Sequence, residues 1–375
     1  MGRERVIVAM SGGVDSSVAA ARLAREGFDV VGVTLHLWDY PDDGERGRCC
    51  APEDQYDARA VADHLGIPHF TFDRRELFAR EVVAPFVDAY VEGRTPSPCV
   101  TCNRTVKLRE LLPLADRLGA RFVATGHYAR VLAGPHGPEL HRGVDAQKDQ
   151  SYFLHMLRAD ELERVLLPLG ASTKEEVRAD ALGLALPGAT KGESQELCFV
   201  PTGRYDAFVE ARSGSRVRPG PILDTEGRVL GHHEGVHRFT IGQRKGLGVA
   251  LGKPAFVVGI DANSAAVMVG AAEDLLAEGA DLEAATCWSH GVELPLANVT
   301  IQVRARHSGA PGQVRRGPGG NPRVVFDEPV RAVSPGQVAV VYDGSRVLGG
   351  GTIEVALHAG TAHDGTVSSL SAELR

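Results

Sequence analysis

Two groups of residues in this 375-residue chain have types and spacing that could do chemistry. The first is Ser11-Gly12-Gly13-Val14-Asp15-Ser16-Ser17. It lies directly behind the apolar run Val6-Ile7-Val8-Ala9-Met10 and ahead of Val18-Ala19-Ala20-Ala21-Arg22-Leu23. That order predicts a buried strand, a glycine turn and the start of a helix. Adjacent glycines let backbone N–H groups approach a ligand closely, and the helix N-terminus adds positive charge, so the turn suits phosphate. The serine hydroxyls are expected to donate to the same oxygens. Asp15 in a phosphate cradle implies a cation accompanying the phosphate, read here as Mg²⁺. No Gly-Lys-Ser/Thr ending follows the glycines, which excludes a Walker A loop.

The second group is the cysteines, six in all. Cys99 and Cys102 form a Cys-x-x-Cys, a spacing shared by half a zinc site, a redox pair and cluster ligation. Cys49 and Cys50 are adjacent, a poor geometry for completing a tetrahedral ion. A single catalytic thiol at the start of a helix near Asn103 is favoured, its pKa lowered from about 8.5 by the helix dipole. Cys198, in Ser194-Gln195-Glu196-Leu197-Cys198-Phe199, reads on its own as a small buried hydrophobe.

The elements that would carry these groups alternate strand and helix. Strands are expected at 29–35, 67–72 and 121–125, with helices at about 52–65, 76–91 and 105–118. This predicts a parallel doubly wound sheet with ligands at its strand ends. Residues 131–147 suggest a hairpin. Beyond about Tyr205 the strands shorten and Gly and Pro become dense. An α/β domain over 1–205, a small central α+β domain over 206–278, an antiparallel β-barrel over 279–360 and a flexible tail over 361–375 are expected. Net charge is −7, but it is uneven. Residues 38–92 hold 13 Asp/Glu against 6 Arg, 204–253 hold 9 Lys/Arg against 5 acids, and 301–326 hold 5 Arg and no acid. A polyanion would meet the middle and C-terminal parts. No apolar run approaches membrane-spanning length and no signal-peptide pattern opens the chain, so a cytoplasmic protein without a membrane partner is expected.

The loop Ser11–Ser17 resembles that of the N-type ATP pyrophosphatases. Together with TPSPCVTCN followed by Lys107, ATGHYAR, KDQSYFL, SQELCF, FTIGQRKGLG and SPGQ…LGGG, it makes the chain resemble the bacterial tRNA-specific 2-thiouridylases from Val6 to about Ile353. The resemblance implies that sulfur replaces O2 of the wobble uridine in tRNAs for Lys, Glu and Gln after ATP adenylates that oxygen. It implies ATP contacts at Ala9, Met10, Ser11, Gly12, Gly13, Val14, Asp15 and Ser16, and at Leu35 and Gly126. Cys198 would carry a persulfide from a sulfur-relay protein or cysteine desulfurase, and Cys102 would be the second catalytic thiol. tRNA contacts would fall at Ser97, Pro98 and Cys99, at His127, at Lys148, Asp149 and Gln150, and at Arg306, His307 and Gln337. His307 stands where the family commonly has Tyr, and Cys99 where some members have Asp. Arg244 and Lys245 would suit phosphate contacts. A monomer with no resident metal is expected. The alternative to the persulfide route is an iron–sulfur cluster on Cys99, Cys102 and Cys198. Another adenylating tRNA ligase, or an RNA-binding module without catalysis, would need no pair of distant cysteines.

Overall fold

The computed structural model describes residues 3–39, 52–192, 197–200, 203–249 and 254–359. Cys49, Cys50 and the expected tail lie outside them. The chain opens with β1 (Arg5–Ala9), α1 (Val14–Arg25), β2 (Asp29–His36), α2 (Pro52–Leu65) and β3 (His69–Asp73). α3 (Arg75–Phe78) and α4 (Ala84–Val91) are joined by the π-helical turn Ala79–Val83. α5 (Pro98–Cys102) and α6 (Arg109–Arg117) are joined by a second one, Asn103–Leu108. Then come β4 (Phe122–Ala124), the hairpin β5 (Ala129–Gly134) and β6 (Gly137–Arg142), α7 (Ala159–Leu162), β7 (Val165–Leu166) and α8 (Lys174–Gly183).

The five-stranded sheet runs β3-β2-β1-β4-β7, every pair parallel. Alternation along β1 shows why both faces are covered. Val6 and Val8 pack with Ala20, Leu23, Ala58 and Val61 of α1 and α2, while Ile7 between them packs with Leu111 and Ala115 of α6. The strand order changes direction beside β1, so the loops after β1 and β4 open a crevice at their C-terminal ends.

The middle unit is α9 (Tyr205–Ser213) with β8 (Gly220–Leu223), β9 (Val229–His233), β10 (Phe256–Asp261) and β11 (Ala266–Gly270), in a mixed sheet ordered β10-β11-β8-β9. The remainder is β12 (Leu276–Leu282), β13 (Cys287–Trp288), β14 (Leu296–Gln302), β15 (Ala310–Arg316), β16 (Pro322–Arg331), β17 (Val338–Asp343) and β18 (Arg346–Leu357). Six of these close an antiparallel barrel in the order β12-β16-β15-β14-β17-β18, with β18 returning to β12. The Gly349-Gly350-Gly351 run allows the closeness of this packing. A Cβ at Gly349 would lie 2.3 Å from the Cys287 carbonyl oxygen, and one at Gly350 would lie 2.3 Å from that of Ala339.

β17 is buried on both sides. Ala339 and Val341 point into the barrel, while Val338, Val340 and Tyr342 join the cluster that holds Ile7, Leu111 and Tyr152. The hairpin reinforces this seam: the Arg142 amide donates to the Ser345 carbonyl at 2.8 Å, and the Arg142 guanidinium stacks over the Tyr342 ring at 3.5 Å. Among the described residues no helix is long and apolar enough to cross a membrane.

Candidate functional site

Gly13 is the N-cap residue of α1, in extended backbone and without a side-chain cap hydrogen bond. The first-turn amides of that twelve-residue helix can therefore face an anion. Gly12 has φ +72°, and a Cβ there would lie 2.3 Å from the Asp54 carbonyl oxygen of α2. On the other side a Cβ at Gly126, just past β4, would lie 2.8 Å from the Asp15 carbonyl carbon and the Ser16 nitrogen. The turn is thus pressed between two elements that leave no room for a side chain. Ser16 Oγ and Ser17 Oγ donate to the Gly13 carbonyl at 2.9 and 3.0 Å. These hydroxyls brace the turn, which corrects the expectation that they point at a ligand.

Asp15 also differs from its sequence reading. Its Oδ1 accepts from Tyr128 OH at 2.8 Å and from the buried Lys174 Nζ at 2.7 Å. A carboxylate read as a cation contact already holds an ammonium. Among the described residues no three His, Cys, Asp or Glu side chains are grouped to hold a metal ion. The loop therefore fits a phosphate, and a divalent ion fits only as a companion of that phosphate. Lys174 escaped the sequence reading because it is a lone lysine, 159 positions from Asp15, with no motif around it.

The cysteine helix starts earlier than expected. Pro98, with its fixed φ, stands at its first position behind Ser97, so α5 begins there and not near Asn103. Cys99 is exposed in the first turn, between the buried Pro98 and Val100, and Cys102 lies inside the helical run at 6% exposure. Burial pushes the Cys102 thiol up to about 11, against the pull of the Lys107 charge. The expected dipole activation of Cys102 is overturned, because the thiol is a full turn from the helix start and desolvated. Cys99, Cys102, Cys198 and Cys287 are all thiols. No ligand cluster joins Cys99, Cys102 and Cys198, so these residues as arranged do not fit an iron–sulfur cluster.

Cys198 precedes Phe199, whose ring is 1% exposed and lies 5.0 Å from that of Phe86, 5.4 Å from Phe208 and 5.6 Å from Phe78. Through this cluster the fold gathers residues far apart in sequence. Cys102 is part of it, and Leu35 of β2 and Cys198 pack against it. At the end of β4 the His127 ring accepts or donates at Nδ1 with Thr125 Oγ1, 2.8 Å away. Desolvation, with Lys107 second, holds that imidazole down to about 3, so it is neutral at physiological pH.

The expected RNA contacts divide into exposed and internal groups. Asp149 is 6% exposed at its side chain and holds Arg142 at 2.8 Å, Ser151 Oγ at 3.0 Å and the Gly143 amide at 3.0 Å. Gln150 Oε1 accepts from the Tyr128 amide at 2.9 Å. Gln337 Nε2 donates to the Thr95 and Pro96 carbonyls at 2.9 and 3.2 Å, clasping the loop before α5. These three side chains build the fold around the crevice. Lys148 is half-buried. Arg306 is exposed on the turn between β14 and β15, and the half-buried His307 accepts from the Val303 amide at 3.3 Å. Of the acid-free stretch, Arg304, Arg306, Arg315 and Arg316 are exposed, whereas Arg323 is buried against Asp281 at 2.6 and 2.8 Å. In the middle unit Arg204, Arg216, Arg228 and Arg238 are paired with Asp206, Asp88, Asp224 and Glu210.

A family model described as tRNA methyl transferase HUP domain matches residues 4–202. The companion PRC-barrel domain and an aminomethyltransferase beta-barrel domain match 206–271 and 286–353. A tRNA-specific 2-thiouridylase of Sorangium cellulosum is 64% identical over 364 residues, covering 96% of this chain and 94% of that one. The chain belongs to the tRNA-specific 2-thiouridylase family. Another member, from Geobacter metallireducens, is 47% identical and covers 96% of this chain and 99% of its own. A solved U34-tRNA thiolase of Methanococcus maripaludis, with its [4Fe-4S] cluster, aligns over 56% of this chain and 65% of its own at 17% identity. Its TM-score of 0.32 is too low for that likeness to carry weight.

Proposed function

We propose that this chain uses ATP to replace O2 of the wobble uridine of tRNA with sulfur. The observation that carries the reading is the single cluster on which Leu35, Cys102 and Cys198 meet, together with a turn that has the shape of a phosphate cradle. A uridine C2 carbonyl is a poor electrophile because oxide is not a usable leaving group. Attack of O2 on the α-phosphate of ATP releases pyrophosphate and makes that oxygen part of a leaving AMP. The Ser11–Ser17 turn and the Gly126 approach would hold the phosphates, with Mg²⁺ arriving on them and sharing Asp15 with Lys174. The terminal sulfur of a Cys198 persulfide then attacks C2 and expels AMP. Cys102 attacks the inner Cys198 sulfur, which breaks the S–S bond, leaves 2-thiouridine and forms a Cys102–Cys198 disulfide. An external dithiol reopens it.

The tRNAs for Lys, Glu and Gln, a sulfur-relay protein or cysteine desulfurase as donor, a cytoplasmic setting and a monomer belong to the same proposal. So do domain limits of 1–205, 206–278 and 279–360. The anticodon would lie over Ser97, Pro98 and Cys99, near His127 and Lys148, with Arg306 and His307 at the barrel rim.

The test is nucleoside mass spectrometry on tRNA incubated with the protein, ATP and a persulfide donor. Wild type should yield 2-thiouridine and AMP. Cys102→Ser and Cys198→Ser should yield no 2-thiouridine. A spent wild-type enzyme without reductant should contain the Cys102–Cys198 peptide. Full 2-thiouridine in either serine variant defeats the reading. An anaerobic brown iron protein that Cys99→Ser inactivates favours the cluster route.

A further inference from the structure

His69, on the edge strand β3, is remote in sequence from the phosphate turn but joined to it by hydrogen bonds. β3 runs parallel to β2 with His69 opposite Gly32. A Cβ on Gly32 would lie 3.0 Å from His69 Cδ2 and 2.6 Å from Met10 Sδ, so the missing side chain leaves room for the imidazole to lean over β2. Thr34 is buried two residues further along β2, on the same face. Its Oγ1 lies 2.8 Å from His69 Nε2 and donates to the Met10 carbonyl at 2.7 Å.

A threonine hydroxyl has one proton to give. Thr34 gives it to Met10, so His69 Nε2 is the donor toward Thr34, and the tautomer follows from the network. Desolvation, with the Arg59 charge second, holds the His69 pKa below its ordinary value, so the ring is neutral at pH 7 and its single N–H is spent on Thr34.

The Met10–Ser11 peptide carries the order onward. In a planar trans peptide the N–H points away from the carbonyl. The carbonyl is fixed by Thr34, and the Ser11 N–H donates to Ser16 Oγ at 3.2 Å. Ser16 Oγ in turn donates to the Gly13 carbonyl at 2.9 Å. Every donor in this chain points the same way, from β3 into the first turn of α1, and aligned hydrogen bonds strengthen one another.

We propose that His69 is a positioning residue for the phosphate turn, acting through Thr34 and the Met10–Ser11 peptide to hold Ser16 and the Gly13 carbonyl in the shape that receives the nucleotide. The role deepens the proposed function and rests on it for one of two readouts. The first is the ATP dissociation constant of the full chain, titrated without tRNA. The second is amide hydrogen exchange over residues 11–17 without nucleotide, which needs no activity.

Thr34→Val removes the hydroxyl at nearly constant volume. It should weaken ATP roughly tenfold and speed exchange over 11–17 by a similar factor, the scale of a hydrogen bond lost with its partners left buried. His69→Phe keeps a ring without the N–H and should give both effects at about threefold, since the Thr34–Met10 bond survives. His69→Gln, whose Nε2 can donate from the same place, should restore most of both. tRNA affinity and exchange over β17 should match wild type in all three variants. Wild-type values in either readout for Thr34→Val overturn the proposal. So does an exchange rise spread evenly over the chain, which would make the network a core contact only, or a His69→Gln protein that behaves like His69→Phe. If the wild-type protein binds no ATP, the proposed function fails, and exchange over 11–17 decides the positioning role alone. Should Thr34→Val not fold, His69→Phe carries both readouts, and wild-type values there overturn the proposal.

Discussion

The two thiols of the site are held in contrasting ways. Cys102 is part of a helical run begun by Pro98 and continued through the π-helical turn to Arg117, so its backbone is fixed by repeating main-chain hydrogen bonds. Cys198 lies in irregular chain, and it packs on the same cluster as Cys102 together with its neighbours Leu197, Phe199 and Val200 through their side chains. Regular structure places a buried thiol permanently. A segment held by a few side chains can be released by changing one of them, at a cost set by that contact. The sulfur carrier proposed at Cys198, which would have to meet both a donor and an acceptor, suits the second arrangement.

The sharpest break of this comparison is Phe199→Ala. Removing a fully buried aromatic ring should lower unfolding free energy by about 3–5 kcal/mol. Because the ring sits next to Cys198, it should also slow Cys102–Cys198 disulfide formation more than it slows AMP release. Chemical denaturation and peptide mapping read the two effects. Equal slowing of both steps would show that Phe199 is only a core residue.

A smaller effect separates Cys102 from Cys99. With its thiol pushed up to about 11, Cys102 holds little thiolate at pH 8, so alkylation there should lag the exposed Cys99 by about 100-fold. The lag should shrink as pH rises toward 11. The linkage has the same sign. A raised folded pKa means that burial of the neutral thiol stabilises the fold fully below the unfolded pKa near 9, and that this contribution is lost on the way to about 11. Equal labelling of both cysteines at pH 8, read by mass spectrometry, would place Cys102 at the surface.

Gln337→Ala should have the smallest effect. It removes two hydrogen bonds to the loop before α5, worth about 1 kcal/mol each. A thermal melt should fall modestly, and the loss of tRNA affinity should be the same at every salt concentration, because no charge is removed. A change in salt slope would instead put Gln337 near a phosphate pathway.

Much of this molecule was legible as a string of residues. The strand–turn–helix at Val6–Leu23, the alternation that makes the sheet parallel, the 131–147 hairpin and the short strands of the barrel are local patterns. A strand of period two or a glycine at positive φ needs only its neighbours to be recognised. The motifs also led to the family. The expectations that differ from the structure have two causes, one local and one distant. Locally, Pro98 opens the helix that was expected to start near Asn103, which puts Cys102 a turn inside it. At a distance, the packing that desolvates the Cys102 thiol comes from other elements.

Sequence by itself determined the element order and the strand–turn–helix at Val6–Leu23, and it singles out the turn and the two thiols proposed for the reaction, since each is written in adjacent residues. Tertiary structure alone decided that Cys102 is desolvated and that Asp15 faces Lys174. It also decided that β17 is shared by two cores and that Asp149, Gln150 and Gln337 hydrogen-bond within the chain. Most of these depend on partners more than a hundred positions apart, or on burial created by another domain. Burial and electrostatic environment belong to the packed chain, and no periodicity along the sequence encodes them.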